Sequence, residues 1–206
     1  MKKIALLFFP FLIVGCTKIV PPTINDNLIG IKNSVYSSGS EITWKGYNSI
    51  KNIHDGDTLT TKTNKKIRLL GIDTPEMSHS TKWGWEKSYS LELFWATKAR
   101  DFVRNLLRNK NVTVIFNGYK TYGRHVGEVF YKDQNQKVIN LSFELLRQGL
   151  ARRAYITYKP GKFHVPKKYY EYVLRLEEKA KYLQKGFWKY NLIQLKNIFP
   201  KWDITN

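Results

Sequence analysis

The sequence predicts an α+β domain, on three observations. Short runs rich in β-branched residues are broken by turn residues, apolar positions recur at helical spacing in two longer stretches, and Asn, Pro and Gly punctuate the helix ends. Residues 58–63 and 66–72, split by Asn64-Lys65, read as a hairpin. A helix is expected over 86–108, where Trp95, Ala99, Phe102, Val103 and Leu106 repeat with its period. Strands follow at 112–116 and 125–131, then a turn at 133–136 and a strand at 137–139. A short helix starts at Asn140, a good N-cap, and stops at Gly149. The last helix begins at Pro166, sets Val173, Leu176, Ala180 and Leu183 on one side, and ends at Gly186. About five strands and three helices result, and spacing alone leaves open whether the strands close into a small barrel.

Composition bounds the chemistry. The chain has 206 residues, 42% hydrophobic and 15% aromatic, which is enough for one buried core and excludes disorder throughout. Its one cysteine, Cys16, excludes a disulfide scaffold and a cysteine-ligated zinc site. With 35 Lys+Arg against 16 Asp+Glu the formal net charge is +19, which points to polyanionic partners such as nucleic acid or an anionic membrane surface.

The N-terminus reads as an address. Met1-Lys2-Lys3 is a positive head, followed by an apolar run that only Pro10 interrupts before Gly15. As a helix this run would span about 18 Å, short of the ~30 Å hydrocarbon core, so a signal peptide fits better than a membrane span. Its end, Leu12-Ile13-Val14-Gly15-Cys16, resembles a bacterial lipobox. The expectation is a lipoprotein signal peptide at 1–15, with lipid attached at Cys16 and the chain exported to a bacterial cell-envelope membrane; ordinary secretion is the alternative. Residues 16–44, with Pro21-Pro22 and Ser37-Ser38-Gly39-Ser40, read as a flexible linker, and 45–206 as the folded domain.

Within that domain, Asp55-Gly56-Asp57-Thr58 opens one arm of the first hairpin and Asp73-Thr74-Pro75-Glu76 closes the other, so Asp57 and Asp73 should meet. Crowded carboxylates need a cation or donors to offset their repulsion, and oxygen-only ligands favour a hard ion, calcium or magnesium. Either motif by itself is ordinary turn chemistry. Arg68, set in the otherwise apolar Ile67-Arg68-Leu69-Leu70, and Arg124, after Tyr122-Gly123, shift that balance. Planar guanidinium groups take phosphate oxygens two at a time, and preorganised positive charge stabilises a phosphorane-like transition state.

Taken in order, Asp55-Gly56-Asp57-Thr58, Arg68-Leu69-Leu70-Gly71-Ile72-Asp73-Thr74-Pro75-Glu76, Tyr122-Gly123-Arg124 and Leu146-Arg147-Gln148-Gly149-Leu150-Ala151 resemble the staphylococcal nuclease (thermonuclease) family, from about Tyr47 to Trp188. The resemblance implies an OB-fold, a five-stranded β-barrel with three α-helices. It also implies calcium-dependent hydrolysis of DNA and RNA that leaves 3′-phosphates. By matching position, Asp57, Asp73 and the Thr74 carbonyl would hold Ca2+, with Asp55 behind them. Arg68 and Arg124 would hold the scissile phosphate, and Glu76 would orient or deprotonate the attacking water. Tyr155 matches a tyrosine of the family's nucleotide pocket. Its usual partner is displaced by one extra residue: either Tyr158 reaches the position through a bulge or Thr157 occupies it. The segment 77–85, with His79, Trp83 and Trp85, departs from the family pattern and is expected at the rim of the site.

Basic residues interleaved with aromatics, Arg152, Arg153, Tyr155, Tyr158, Lys159 and Lys162, suit single-stranded nucleic acid, although a basic face over core tyrosines reads the same way. Lys120 is placed to reach substrate phosphate, and His54 is the one histidine near the Asp-Gly-Asp turn. The function expected is thus a monomeric, lipid-anchored, calcium-dependent nuclease. The alternative is a non-catalytic OB-fold protein of the envelope that binds nucleic acid without cutting it.

Overall fold

The computed structural model describes residues 50–202. The expected signal peptide at 1–15, Cys16, the expected linker at 16–44 and the first residues of the expected domain lie outside the described residues. Among the described residues no helix is long and apolar enough to cross a membrane.

The first strand, β1 (Ile50–Ile53), pairs antiparallel with β2 (Thr58–Thr61), and β2 with β3 (Lys66–Leu69). The expected strand at 66–72 is two pieces. Gly71, at φ +81°, turns the chain after Leu69, and Ile72–Asp73 forms β4. A second hairpin, β5 (Ser78–Thr81) with β6 (Gly84–Lys87), precedes the first helix, α1 (Ser90–Leu107). The helix therefore starts at Ser90 rather than at residue 86. Gly84 sits at φ +118°, which no helical turn accommodates, and Glu86 is spent pairing with His79.

Two long strands follow, β7 (Val112–Thr121) and β8 (Arg124–Lys132), antiparallel, with a register shift between Phe116 and Lys120. β8 also runs parallel to β3, pairing Arg68 with Val126, and takes β9 (Val138–Asn140) on its C-terminal half. The ladder among the described residues thus runs β1-β2-β3-β8-β7, a mixed sheet with β9 added on β8.

Asn140 caps α2 (Leu141–Arg147) as expected, its side chain accepting from the Ser142 N–H at 2.9 Å. The short β10 (Arg152–Arg153) pairs with β4, setting Arg152 opposite Asp73. α3 (Lys167–Tyr182) follows Pro166, and a 3₁₀ turn, Gly186–Lys189, succeeds it. A fourth helix, α4 (Leu192–Ile198), lies beyond the three expected, started by a capping box between Asn191 and Gln194.

The core joins Leu59, Ile67 and Val129 of the sheet to Trp95, Ala99 and Val103 of α1, and to the buried leucines of α2 and α3. Each such fully buried aliphatic contributes about 1.5–3 kcal/mol relative to exposure. Packing fixes one residue beneath the site with particular force. A Cβ on Gly56 would stand 2.7 Å from Ala99 Cβ and 2.7 Å from Thr74 Cγ2, so only glycine lets the Asp55–Asp57 turn lie against α1 and the Asp73-Thr74 turn.

Candidate active site

Asp57 and Asp73 do come together on Arg68, but Asp73 arrives on β4, past the Gly71 turn, rather than at the end of the β2–β3 hairpin. Arg68, on β3, projects between them. One end of its guanidinium pairs with Asp57 Oδ1, and its Nη2 donates to Asp73 Oδ1 at 2.6 Å. The other oxygens are also held. Asp57 Oδ2 accepts the Thr74 N–H at 2.8 Å, Thr58 Oγ1 donates to Asp57 Oδ1 at 3.1 Å, and Arg152 Nη2 donates to Asp73 Oδ2 at 2.8 Å. Asp57 is fully buried and Arg68 and Asp73 nearly so. Ions this far from water are tolerated only when paired and hydrogen-bonded, as they are here.

Asp55 locks the turn, its Oδ1 accepting from the N–H groups of Asp57 at 3.0 Å and Thr58 at 2.6 Å. Burial pushes its carboxyl above the usual range, against the pull of Arg68 and the Thr58 hydrogen bonds. Arg124, at the start of β8, reaches the same cluster: its Nη1 donates to Thr58 Oγ1 at 3.2 Å, and Thr58 donates to Asp57. Burial and the nearby Arg68 charge lower its pKa from the ordinary arginine value.

Above this floor opens a cleft of about 840 Å³. Asp55, Arg68, Asp73, Thr74, Glu76 and Arg124 all line it. Burial first, then the negative charges of Asp55 and Asp73, push the Glu76 carboxyl up to about 7, with Arg68 and Arg124 opposing. A carboxyl poised near neutrality in a cleft has the character of a general base.

Tyr155 also lines the cleft, its ring centroid 5.8 Å from the Arg68 guanidinium carbon, and holds a φ of +58°. Such a backbone is unusual for a bulky residue, and the side chain is more than half exposed. Tyr158 does not line the cleft; its ring packs edge-on against Tyr170 at 5.1 Å. Thr157 is engaged in the loop, its Oγ1 accepting the Lys159 N–H at 3.0 Å. Phe163, at φ +61°, lines the cleft as well, as do Trp85, Tyr122, Phe199 and Trp202. Lys120 is exposed on β7 and lies outside the lining, one residue before Thr121, which belongs to it. His54 lines the cleft, its Nε2 sharing a hydrogen bond with Thr60 Oγ1 at 2.9 Å.

Two contributors were not singled out by the sequence as site residues. Arg152 grips Asp73 while its guanidinium carbon sits 5.1 Å from the Phe199 ring and 5.0 Å from the Trp202 ring. The aromatic C-terminal segment thus stiffens an arginine that orients a candidate metal ligand. Glu92, buried on α1, accepts from His79 Nε2 at 2.9 Å on each oxygen. The segment 77–85 does stand at the rim, as expected, with Met77, Ser78, His79, Ser80 and Trp85 in the lining.

The donor set suits a hard cation. Two carboxylates present oxygens to one guanidinium, so they converge on a single positive charge, and all their chemistry is oxygen. Among the described residues no three His, Cys, Asp or Glu side chains gather as a metal site. Backbone carbonyls, water and substrate would therefore complete the coordination.

The chain is similar to several known proteins. An uncharacterised protein of Methanocaldococcus jannaschii is 31% identical over 163 residues, which is 70% of this chain and 72% of that protein. A Haemophilus influenzae protein named an uncharacterised endonuclease is 37% identical over 103 residues. A Leptosphaeria maculans protein named "Probable endonuclease LCL3" is 32% identical over 130. The matches cover 48% and 62% of this chain, but 47% and 39% of those two relatives. Residues 66–190 match the family described as staphylococcal nuclease homologue, whose OB-fold accords with the α+β arrangement of mixed sheet and helices. The four motifs, the paired carboxylates and these likenesses converge: the chain belongs to the staphylococcal nuclease homologue family.

Proposed function

We propose that this chain is a calcium-dependent nuclease that hydrolyses phosphodiester bonds of DNA and RNA and leaves 3′-phosphate ends. The observation that carries the reading is the meeting of Asp57 and Asp73 on Arg68, with Arg124 and Glu76 facing the same cleft. Both chains named as endonucleases support it, as does the family.

Asp57, Asp73 and the Thr74 carbonyl would hold Ca2+, with Asp55 keeping their turn in place. When bound, the ion supplies Lewis-acid polarisation of the scissile phosphate. Arg68 and Arg124 bind the non-bridging oxygens and oppose the charge that grows on them in the transition state. Glu76 orients the attacking water or takes its proton. The water oxygen bonds to phosphorus, the bond to the 5′-oxygen breaks, and that oxygen takes a proton from solvent. Tyr155 offers the leaving nucleotide a ring, and Lys120 and Tyr158 would contact more distant parts of the strand. We propose further that the chain is exported and lipid-modified at Cys16, a reading supported by the lipobox-like Leu12-Ile13-Val14-Gly15-Cys16.

The catalytic reading is tested by digesting single-stranded DNA, duplex DNA and RNA with the full-length chain beside Arg124→Ala and Glu76→Gln. Loss of a transition-state donor should lower kcat by about 10²–10³, and the parent's product ends should resist ligation until phosphatase removes the 3′-phosphate and a kinase phosphorylates the 5′-hydroxyl. Variants as active as the parent would overturn these catalytic roles, and a parent that binds the strands yet cuts none of them would favour the non-catalytic alternative.

A further inference from the structure

The β5–β6 hairpin invests its sequence in exposed aromatic surface. Trp83, at the two-residue turn, is 81% exposed and Trp85, on β6, is 76% exposed, while Trp95 and Trp188 are buried in the core. Large rings left in water forfeit the burial that normally repays an aromatic, so two of them on one short hairpin call for a partner. Antiparallel partners share a face of the ribbon, which puts Trp85 with Ser80, and Lys87 with Ser78, on one side. The small serines on that side leave the Trp85 indole exposed. The opposite side carries His79 and Glu86.

The hairpin is anchored as well as exposed. His79 grips both oxygens of buried Glu92 on α1, and the Ser88 N–H donates to the Met77 carbonyl at 3.1 Å to close the root. Its charge is set for a polyanion: Lys82 Nζ stands 4.9 Å from the Trp83 ring centroid, and Lys87 shares the Trp85 face. Trp85 and the β5 residues Ser78 to Ser80 line the same cleft as Arg68, Arg124 and Glu76.

From this placement we infer that the β5–β6 hairpin is a stacking arm for unpaired bases of a single nucleic-acid strand whose scissile phosphate lies in the cleft. The occupant rests on the nuclease reading above; the platform rests on the exposed indoles and their lysines alone. Paired bases hide their faces in the duplex, so the arm discriminates in favour of single strands. Stacking tolerates any base, and it confers strand preference without sequence preference.

Binding rather than cutting reads the arm. The full-length chain, held in chelator, is titrated with a labelled single-stranded oligodeoxythymidylate and with an abasic strand of equal length. Trp85→Ala and Trp83→Ala are each expected to weaken the thymidylate by about tenfold or more, from the usual value of one base–aromatic stack. Trp85→Phe should recover most of the loss, and the abasic strand should change less than about twofold. Binding of the thymidylate at parental affinity by both alanine variants, or an equal loss on the abasic strand, would overturn the inference. A chain that binds through these rings yet cuts nothing with calcium would overturn the nuclease reading and leave the arm standing.

Discussion

Beneath the cleft, outside its lining, Asp57 is fully buried, and its oxygens are taken up by Arg68, Thr58 and the Thr74 N–H. At the rim, about one hairpin away, Trp83 and Trp85 leave most of their surface in water. The first region spends stability on holding charge in place, and the second leaves apolar surface unused. Preorganised charge is what phosphoryl chemistry needs, because donors fixed before the reaction cost no reorganisation during it. Open rings are what a varied polymer needs, because every base has a face to stack. The difference separates where the bond would be broken from where the strand would be held.

Stability measurements break this comparison most sharply. Arg68→Ala leaves Asp57 and Asp73 buried without their shared cation. In calcium-free buffer it should lower unfolding stability by about 3–5 kcal/mol in urea titrations. Trp83→Ala, by contrast, should fall within about 0.5 kcal/mol of the parent. Equal losses at the two positions would mean that the rim is structural after all.

A smaller effect sharpens the floor itself. Glu76, raised to about 7, holds its proton more tightly when folded than unfolded. Its contribution to stability therefore declines as pH rises from the ordinary glutamate value of about 4.5 toward 7. Carboxyl NMR of the calcium-free chain should show a Glu76 midpoint near 7, and Asp55→Asn should lower it by removing a neighbouring negative charge. A midpoint near 4.5 in the parent would contradict the burial of this carboxyl first, and its crowding by Asp55 and Asp73 second.

Local chemistry made much of this legible in the sequence. The β-branched run from Thr58 and the Asp-Gly-Asp and Asp-Thr-Pro-Glu turns placed Asp57 and Asp73 at the two ends of one hairpin, and Arg68 ties them. Asn140 declared a helix start, and Pro166 the start of α3. The misread helix start at residue 86 has a specific cause: Trp85 and Glu86 extend the apolar-polar pattern of α1 backwards, and only Gly84 hints that the chain is still a ribbon. α4 carried a readable signal, the Asn191–Gln194 capping box, in too short a helix for periodicity to register. Long-range contributors were not legible. Arg152 reaches Asp73 across 79 positions because β10 pairs with β4, and Phe163 enters the cleft from a loop with positive φ.

Dependence of cutting on a cation held by the carboxylates gathered on Arg68 is the proposal on which the nuclease chemistry turns. It is tested most directly by cleavage of single-stranded DNA by the full-length chain, stripped of metal with chelator and then titrated with calcium. Expected are no cutting in chelator, a rate that rises and saturates as calcium is added, and loss of that response in Asp57→Asn. Cutting at full rate in chelator, or the same calcium response in Asp57→Asn as in the parent, would contradict it.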